Sequence, residues 1–570
     1  MTNPGLAQSY ARGATDVPLI EQTIGDFFDA MAVRQGAREA LVSAHQKRRF
    51  SYAALQAEAN RLASALLRSG LVPGERVGIW SHNNAEWVLM QLATAKAGLI
   101  LVNINPAYRT SELEYALNKV DCRALVTMAR FKTSDYLGML RELAPEYAHG
   151  QAGQLASSRL PHLRSVVWVD EAGVGADEPG FGRFSQLMAS GDAADPRVAE
   201  VQRTLKATDP INIQFTSGTT GFPKGATLTH RNILNNGFFI GEAMKLGPAD
   251  RLCIPVPLYH CFGMVLGNLA CLTHGSTIVY PNDGFDALSV LQTVQDEKCT
   301  GLHGVPTMFI AELDHPRFPE FDLSSLRTGI MAGSPCPTEV MKRVVSDMHL
   351  SQITIAYGMT ETSPVSCQSS IDTPLDKRVS TVGLAQPHLE VKIIHPESGD
   401  IVPTGVSGEL CTRGYSVMHG YWEEPARTGE AIDADGWMHT GDLATMDAEG
   451  YVNIVGRIKD MVIRGGENIY PREIEEFLFR HPKVQDVQVV GVPDTRFGEE
   501  LCAWIVTRPG ETLDEDDIRD FCKGQIAHYK VPRYICFVQG FPMTVTGKIQ
   551  KFMIRDEMKA QLGLEEEKTA

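Results

Sequence analysis

Short apolar segments that alternate between helix and strand patterns constrain the fold of this chain more than any other feature. Residues 53–69 repeat apolar positions at helical spacing, and this helix is expected to end before Gly70. Residues 76–81 then follow a strand pattern, 85–97 a helix pattern and 99–104 a strand pattern. Further apolar strands are predicted at 124–128 and 165–169. Such alternation predicts βαβ units, and therefore parallel sheets covered by helices.

A change of pattern near residues 456–466 predicts where the chain divides, since 570 residues exceed what one core supports. A hairpin strand at 450–455 precedes it. After it we predict helices at 471–480 and near 515–526, and strands at 487–492, 501–507 and 534–538. We therefore predict an N-terminal domain of residues 1–457, a hinge at 458–460 and a C-terminal α+β domain of residues 461–570. The Gly-, Ala- and Asp-rich stretch 171–195 is expected to be a surface excursion.

Charge and cysteine usage exclude several classes of protein. The net charge of −16 argues against a general nucleic-acid binder. The eleven cysteines form no C-x-x-C pair, which disfavours zinc ribbons and thioredoxin-like sites and fits reduced thiols. The first thirty residues lack a basic segment followed by an apolar one. The apolar stretch 87–102 is interrupted by Lys96 and is too short to span a bilayer. A cytoplasmic protein without a transmembrane segment is expected, while transient membrane contact and oligomerisation stay open.

One segment combines hydroxyls, glycines and a lysine directly after an apolar run. It consists of Thr216, Ser217, Gly218, Thr219, Thr220, Gly221, Phe222, Pro223 and Lys224. Small residues let a backbone turn tightly and aim its N–H groups at an anion, which indicates a polyphosphate site. The segment is not a P-loop, because no Gly-Lys-Ser/Thr follows Gly218 at the required spacing. Taken alone, an ordinary Gly/Thr surface turn is an equally good interpretation.

Four distant segments add matching chemistry. Gly333-Ser334-Pro335 offers a tight turn against which a flat base could lie, and 357–361 (Tyr-Gly-Met-Thr-Glu) places a carboxylate suited to Mg²⁺. Asp442 is an acid suited to the two hydroxyls of a ribose, and Lys548 lies on a Gly-bearing turn near the C-terminus. Each residue alone is better explained by packing or solvation, whereas together they are hard to dismiss.

These motifs carry a family resemblance that covers nearly the whole chain. The chain resembles the adenylate-forming superfamily of acyl-CoA synthetases, luciferases and peptide-synthetase adenylation domains, and looks most like medium-chain fatty acyl-CoA synthetases. The matching motifs are 216–224, 357–361, 408–414, 440–442, 456–460 and 546–548. The resemblance implies an AMP-binding domain with two βαβ-type sheets packed with helices and a smaller β-barrel-like subdomain, followed by a mobile α+β C-terminal domain.

The resemblance also implies roles for the site residues. In it, 216–224 wraps the ATP triphosphate, Gly333, Ser334 and Pro335 hold the adenine with Tyr357, and Asp442 binds the ribose with Arg457 close by. Thr360 contacts the α-phosphate, Glu361 holds Mg²⁺, and Lys548 bridges the substrate carboxylate and the α-phosphate. The implied reaction joins a carboxylic acid to ATP, giving acyl-AMP and pyrophosphate. Attack of one anion on another needs positioning and charge relief more than acid–base chemistry.

A second step is implied, in which coenzyme A takes the acyl group and AMP is released. In the family the C-terminal domain rotates about a hinge, here Lys459, and Lys548 leaves the site. Gly465, Gly466 and Glu467 then line the tunnel for the pantetheine arm. Adjacent glycines suit a narrow tunnel because they bring the backbone close to the ligand.

The segment 257–264 (Pro-Leu-Tyr-His-Cys-Phe-Gly-Met) is expected to line the acyl pocket. It contains no acid, which disfavours amino-acid substrates because a buried ammonium without a partner is costly. Its apolar and aromatic residues suit an alkyl or aryl chain, and a medium- or long-chain fatty acid is preferred. His260 is placed near the acyl carboxylate by the family motif. An aryl-acid:CoA ligase and an enzyme that loads a carrier protein in trans remain as alternatives.

Overall fold

The computed structural model describes residues 6–170, 178–216, 223–334, 336–464, 467–494, 496–523, 525–544 and 547–563, with the side chains of Glu467 and Asn468 left aside. Its α-helices are Ile24–Gln35, Tyr52–Arg68, Ala85–Ala97, Thr110–Lys119, Tyr136–Leu143, Phe184–Ser190, Pro196–Gln202, His230–Ala243, Ala270–His274, Ala287–Glu297, Pro306–Leu313, Thr338–Asp347, Leu375–Ser380, Pro425–Ala431, Pro471–Leu478, Glu515–Cys522 and Lys551–Leu562, and Phe262–Leu269 is a π-helix. Short 3₁₀ turns occupy Pro145–His149, Phe318–Glu320, Thr360–Thr362, Ile458–Asp460 and His528–Lys530.

The first large sheet has eight strands, of which six run parallel. In spatial order they are Gly182–Arg183, Ser165–Val169, Ala124–Met128, Arg76–Trp80, Ile100–Asn103, Pro210–Thr216, Lys224–Thr229 and Gly420–Tyr421. The last two strands run antiparallel to their neighbours. The parallel part is the βαβ region predicted from the alternating apolar segments.

The second large sheet has nine strands with a parallel centre. In spatial order they are Leu384–Ala385, Val365–Gln368, Gln352–Gly358, Thr328–Ala332, Gly301–Gly304, Arg251–Cys253, Thr277–Tyr280, Glu39–Ser43 and Arg48–Ser51. Antiparallel strands close both edges. A separate two-stranded hairpin pairs Arg130–Phe131 with Ser134–Asp135.

A third sheet is wholly antiparallel and forms the half-barrel expected of the smaller subdomain. Its strands are Tyr10–Arg12, Leu389–Ile394, Gly408–Gly414, Met438–Met446 and Val452–Arg457. The fourth sheet lies in the C-terminal part and contains Glu467–Ile469, Val462–Arg464, Gly498–Thr507, Val484–Asp494 and Tyr534–Phe537. The predicted mixed α/β architecture is therefore confirmed, whereas the domain limits 1–457, 458–460 and 461–570 stay predictions.

The helix Ala85–Ala97 shows why the sequence buries this core so completely. The side chain of Asn84 accepts a hydrogen bond from the Trp87 amide at 2.9 Å and so begins the helix, and Gly98 ends it with a φ of +66°. The helix is apolar on all faces, and all its residues are buried. Its Lys96 places Nζ 2.6 Å from both carboxylate oxygens of Asp29, which pairs the buried charge.

Predicted boundaries agree with the structure to within a few residues where the pattern is strong. Residues 85–97, 124–128 and 165–169 match their elements from end to end, and the helix predicted at 53–69 is Tyr52–Arg68. The stretch 171–195 differs from expectation, because its described part contains an edge strand and the helix Phe184–Ser190. Phe184 is buried in the main core, and this one aromatic anchors a segment that lacks periodicity.

Candidate active site

The two ends of the predicted phosphate loop are held by a strand pair. Thr216 ends one antiparallel strand, Lys224 begins the next, and the two residues are register partners. The carbonyl of Pro223 accepts a hydrogen bond from the Tyr115 hydroxyl at 3.1 Å. Residues 217–222 (Ser-Gly-Thr-Thr-Gly-Phe) lie outside the described residues, so their phosphate-binding role stays a prediction.

Glu361 is held beside this loop by two hydroxyl groups. Its Oε1 accepts hydrogen bonds from Thr216 Oγ1 at 3.2 Å and from the Tyr421 hydroxyl at 2.9 Å. Lys224 places Nζ 4.7 Å from the centroid of the same Tyr421 ring. Burial, reinforced by Glu361, raises the pKa of Tyr421, so its hydroxyl stays a proton donor. Thr360 precedes Glu361 in a short 3₁₀ turn, and both residues are buried.

The carboxyl ends of two neighbouring parallel strands bring the predicted adenine residues together. Gly333 follows the strand Thr328–Ala332, and Tyr357 lies near the end of Gln352–Gly358. Gly333 has a φ of +90°, a conformation that favours glycine, and Ser334 continues the turn. Pro335 lies outside the described residues. Crevices beyond the carboxyl ends of parallel strands are where open α/β sheets bind ligands.

Asp442 is fixed by two partners at the predicted ribose position. The Tyr357 hydroxyl donates to Oδ2 at 2.6 Å, and Arg457 Nε donates to Oδ1 at 3.2 Å from the facing strand. Burial raises the pKa of Asp442, while Arg457 opposes that effect by favouring the charged form. The carboxylate therefore joins the predicted base site to the predicted ribose site.

Lys548 reaches this cluster from the C-terminal part of the chain. Its Cε lies 3.9 Å from the position that a Cβ atom on Gly333 would occupy. The turn before it packs on residues preceding the helix Pro306–Leu313, since a Cβ on Gly547 would lie 2.9 Å from Val305 Cγ2. Gly547 has a φ of +76°, so glycine is favoured there by both conformation and space. Gly547 and Lys548 therefore lie next to the predicted nucleotide residues.

The charges around Lys548 set its pKa in opposite directions. Burial is the main cause that lowers the pKa, and Arg457 adds to it, whereas Glu361 and Asp442 raise it. The Lys548 ammonium is therefore buried within range of one guanidinium and two carboxylates.

His260 lies in the predicted acyl segment and is neutral. Burial, together with the charge of Lys548, lowers its pKa to about 3. Nδ1 accepts the amide N–H of Phe262 at 3.2 Å, so the ring proton resides on Nε2. The neutral ring can donate a hydrogen bond to a carboxylate without adding a charge.

Buried amides hold the strand-to-helix segment that carries His260. Gln214 Oε1 accepts from Cys261 Sγ at 3.1 Å, while its Nε2 lies 3.0 Å from Met264 Sδ. Asn103 Nδ2 donates to the Tyr259 carbonyl at 2.9 Å. These positioning residues were not found from the sequence, nor was Tyr421, because a lone amide or tyrosine in a strand has no local signature.

The predicted hinge and CoA residues are placed by the backbone. Lys459 is exposed within the 3₁₀ turn Ile458–Asp460, between the strands Val452–Arg457 and Val462–Arg464. Gly465 and Gly466 lie outside the described residues, and Glu467 begins a strand whose register pairs it with Arg464. The hinge and CoA assignments therefore stay predictions.

Comparison with known proteins assigns this site to a family. The profile of the AMP-binding enzyme matches residues 28–422, and that of the AMP-binding enzyme C-terminal domain matches residues 473–548. The chain belongs to the AMP-binding enzyme family. The first matched region contains Gly333, Tyr357 and Glu361, the second ends at Lys548, and Asp442 and Arg457 lie between the two.

Curated relatives of this AMP-binding enzyme match along nearly all of their own length. The medium-chain acyl-CoA ligase ACSF2 of Rattus norvegicus, named mitochondrial, is 46% identical over 564 residues, covering 98% of this chain and 91% of the relative. The putative acyl-CoA synthetase YngI of Bacillus subtilis (strain 168) is 48% identical over 546 residues, covering 95% and 97%.

Solved structures with this fold include ligand-bound enzymes. The anthranilate CoA ligase AuaEII in complex with anthranoyl-AMP has a TM-score of 0.84 at 27% identity, covering 96% of this chain and 99% of that one. ATP-bound MatB from Rhodopseudomonas palustris has a TM-score of 0.80 at 28% identity, covering 94% of this chain and 99% of that one.

Over the described residues of the present AMP-binding enzyme, no helix is both long and apolar enough to cross a membrane.

Proposed function

We propose that this protein is an AMP-forming acid:CoA ligase that activates a medium- or long-chain fatty acid. ATP and the acid give acyl-AMP and pyrophosphate, and coenzyme A then gives acyl-CoA and AMP. One observation carries the proposal. Lys548, from the C-terminal part, lies next to Gly333, and the charges of Glu361 and Asp442 act to raise its pKa. Such a gathering of distant motifs suits a nucleotide-dependent reaction between two anions.

In the first step the chain's own residues position both anions. Asp442 accepts hydrogen bonds from the ribose, and Gly333 with Tyr357 receives the adenine. Lys548 lies between the acid and the α-phosphate and offsets the charge that builds up during attack. His260 donates its Nε2 proton in a hydrogen bond to the acyl carboxylate and stays neutral, since its pKa is about 3.

Glu361 fits a magnesium ion, with Thr216 beside it. The carboxylate is 6% exposed, and its Oε1 is oriented by two hydroxyl donors. Magnesium takes one or two protein carboxylates together with phosphate oxygens. When bound, the ion neutralises phosphate charge.

For the second step, we assign the replacement of Lys548 by the CoA-binding segment in the active site to a rotation about Lys459. The rotation withdraws Lys548 from the site and brings up the segment that contains Gly465, Gly466 and Glu467 for coenzyme A. The 3₁₀ turn at Ile458–Asp460 supports this role, because none of its three residues is buried in a core that would oppose a change of its dihedral angles.

The fatty-acid assignment rests on the acyl segment and on the names of the relatives. Residues 257–264 contain no carboxylate, and the continuation Phe262–Leu269 is buried and apolar. The rat relative is named a medium-chain acyl-CoA ligase. A panel of fatty, benzoic and cinnamic acids with ATP and CoA, read by product mass, tests the assignment. A medium- or long-chain fatty acyl-CoA as the main product supports it, and aryl-CoA alone contradicts it.

An aryl-acid:CoA ligase is the second candidate. The observation in its favour is the fold match to an anthranilate CoA ligase and the presence of Tyr259 and Phe262 in the acyl segment. The same panel separates the two candidates. Replacing CoA by a purified carrier protein tests the third hypothesis, transfer to a carrier in trans.

For the cellular location we propose the cytoplasm, as a compartment that keeps thiols reduced. The eleven cysteines are free, and ten of them are buried. The rat relative is named mitochondrial, so the finer location is tested by fractionation of the source cells against cytosolic and organelle markers.

A further inference from the structure

A cluster of three potential metal ligands lies on the half-barrel sheet, apart from the nucleotide residues. It contains Glu409, Cys411 and His439. Within the described part of the chain, this is the group of histidine, cysteine and acidic residues whose ligand atoms all lie within 4.8 Å of one another. None of the three has a role in the proposed reaction.

Strand geometry brings the three side chains together. Glu409 and Cys411 lie two residues apart on the strand Gly408–Gly414, where alternate residues share a face. His439, on the neighbouring antiparallel strand Met438–Met446, is the register partner of Cys411. The register shifts between this pair and the pair of Glu409 with Leu443, because three residues separate His439 from Leu443 on one strand while one residue separates Cys411 from Glu409 on the other. The cluster is therefore built on paired strands and not on loops.

The distances between ligand atoms match a tetrahedral zinc site. Nδ1 of His439 lies 3.1 Å from Glu409 Oε2 and 3.6 Å from Cys411 Sγ. Bonds of about 2.0–2.3 Å to a tetrahedral zinc ion place nitrogen, oxygen and sulfur ligands about 3.3–3.6 Å apart. The two distances from His439 are thus within a few tenths of an ångström of these values, and all three ligand atoms lie within 4.8 Å of one another.

The surroundings support the ligands as an outer shell would. The second oxygen of Glu409 accepts the Gly441 amide N–H at 3.1 Å, and Asp433 Oδ2 lies 3.6 Å from the other ring nitrogen of His439. A carboxylate facing the far nitrogen of a ligating histidine is a frequent outer-shell arrangement. Lys392 is the register partner of Cys411 on the strand at its other side. The Lys392 side chain is directed to Trp437, since its Nζ lies 4.3 Å from the Trp437 ring centroid.

The cluster is buried on the side of Cys411 and exposed to solvent on the side of His439. Cys411 is 0% exposed, whereas the side chain of His439 is 31% exposed. Three protein ligands and one solvent-facing position are sufficient for a four-coordinate ion. The thiolate and imidazole select a borderline-soft metal over Mg²⁺, which prefers oxygen ligands alone.

We propose that Glu409, Cys411 and His439 form a zinc-binding site with a fourth position open to water. The site is separate from the proposed magnesium position at Glu361, and zinc occupancy is independent of the acid that the enzyme activates. The hydrogen bond from the Gly441 amide to Glu409 connects the site to the residue next to Asp442.

Titration of the metal-free full-length protein with Co²⁺, followed by Zn²⁺, tests the proposal. We expect one equivalent of Co²⁺ to give a thiolate-to-cobalt charge-transfer band together with intense tetrahedral d–d bands. Zn²⁺ should remove both bands, and a large excess of Mg²⁺ should not. Absence of a charge-transfer band at one equivalent in the wild-type protein overturns the proposal.

Variants assign the band to these residues. Cys411→Ser should abolish the charge-transfer band, and His439→Gln or Glu409→Gln should weaken Co²⁺ binding by at least about 10- to 100-fold, the range for loss of an outer-shell partner of a ligand. Cys522→Ser is the matched control, because Cys522 is buried in the C-terminal core, and it should keep the band. A band that persists in Cys411→Ser contradicts the site. His439→Gln and Glu409→Gln change partly exposed side chains, so they serve if Cys411→Ser does not fold.

Discussion

The hydroxyl of Tyr421 lies 2.9 Å from Oε1 of Glu361 while its ring lies beneath the ammonium of Lys224. One tyrosine thus contacts the predicted magnesium ligand and the last residue of the predicted phosphate loop. It does so from Gly420–Tyr421, the edge strand next to Lys224–Thr229. Correct placement of Glu361 should depend on this hydroxyl.

Tyr421→Phe should therefore impair adenylation while leaving the fold intact. A hydrogen bond to a charged group contributes about 1.5–3 kcal/mol, so kcat/KM for MgATP should fall about 10- to 100-fold. ATP–pyrophosphate exchange measures this step. Tyr415→Phe is the control, since Tyr415 is also buried but its hydroxyl faces the neutral Asn236 at 3.4 Å. Equal activity of the two variants contradicts the role.

Lys548→Ala should separate the two half-reactions. Loss of the cation between the two anions should lower acyl-AMP formation by about 100-fold or more, as removal of one charge-stabilising donor does elsewhere. Thioester formation from pre-made acyl-AMP should be spared, because Lys548 is withdrawn in that step. Equal loss in both assays argues against the assignment, and Lys530→Ala, at a lysine paired with Glu473, controls for surface charge.

The pH dependence of adenylation should have an alkaline limb below the ordinary pKa of lysine. Burial and Arg457 lower the pKa of Lys548, so its charge is lost at a lower pH than usual, and activity falls with it. Lys548→Arg keeps a charge at all accessible pH values and should move this limb upwards, at reduced rate. His260 should contribute no transition near pH 6–7, because its pKa is about 3.

Lys459→Pro should give the reverse of Lys548→Ala. Proline fixes φ and restricts the residue before it, so the hinge should lose the second arrangement while keeping the first. Adenylation should continue and acyl-AMP should accumulate, whereas acyl-CoA formation should fall at least about 10-fold, as hinge variants affect turnover. Rapid quench measures both products. Lys459→Ala, which keeps a free backbone, should retain acyl-CoA formation.

Glu312 should make stability depend on pH. Both carboxylate oxygens are buried without a hydrogen-bond partner among the described residues, and burial raises the pKa. The folded state then holds a proton that the unfolded state releases. The contribution of Glu312 to the free energy of unfolding is fully present below the unfolded-state pKa of about 4.3. It is lost as pH rises above that value, by up to about 1.4 kcal/mol per pH unit.

Glu312→Gln should remove this dependence. Its melting temperature should exceed that of the wild type by an amount that grows between pH 5 and pH 8. Differential scanning calorimetry checks it, with the exposed Glu320→Gln as control. A constant difference across this range contradicts a protonated, buried Glu312.

The sequence carried the parts of the site that depend on local chemistry. Motifs predicted Asp442, Glu361 and Lys548 as site residues, and the structure brings these three together, while the apolar run predicted the helix Ala85–Ala97. Tyr421 and Gln214 could not be found in this way, since their importance arises only when distant strands come together. The strand Gly182–Arg183 was missed because two residues at a sheet edge leave no periodicity to read.

Arg457 closes the last strand before the predicted hinge and is ion-paired with Asp442 at 3.2 Å. The predicted ribose ligand is thereby tied to a residue that lies two positions before Lys459, the predicted hinge. Under the proposed mechanism, loss of a ligand from Asp442 would reach the predicted hinge through this one ion pair, without any relay through the core. The proposed mechanism therefore couples departure of the ribose to rotation of the C-terminal part.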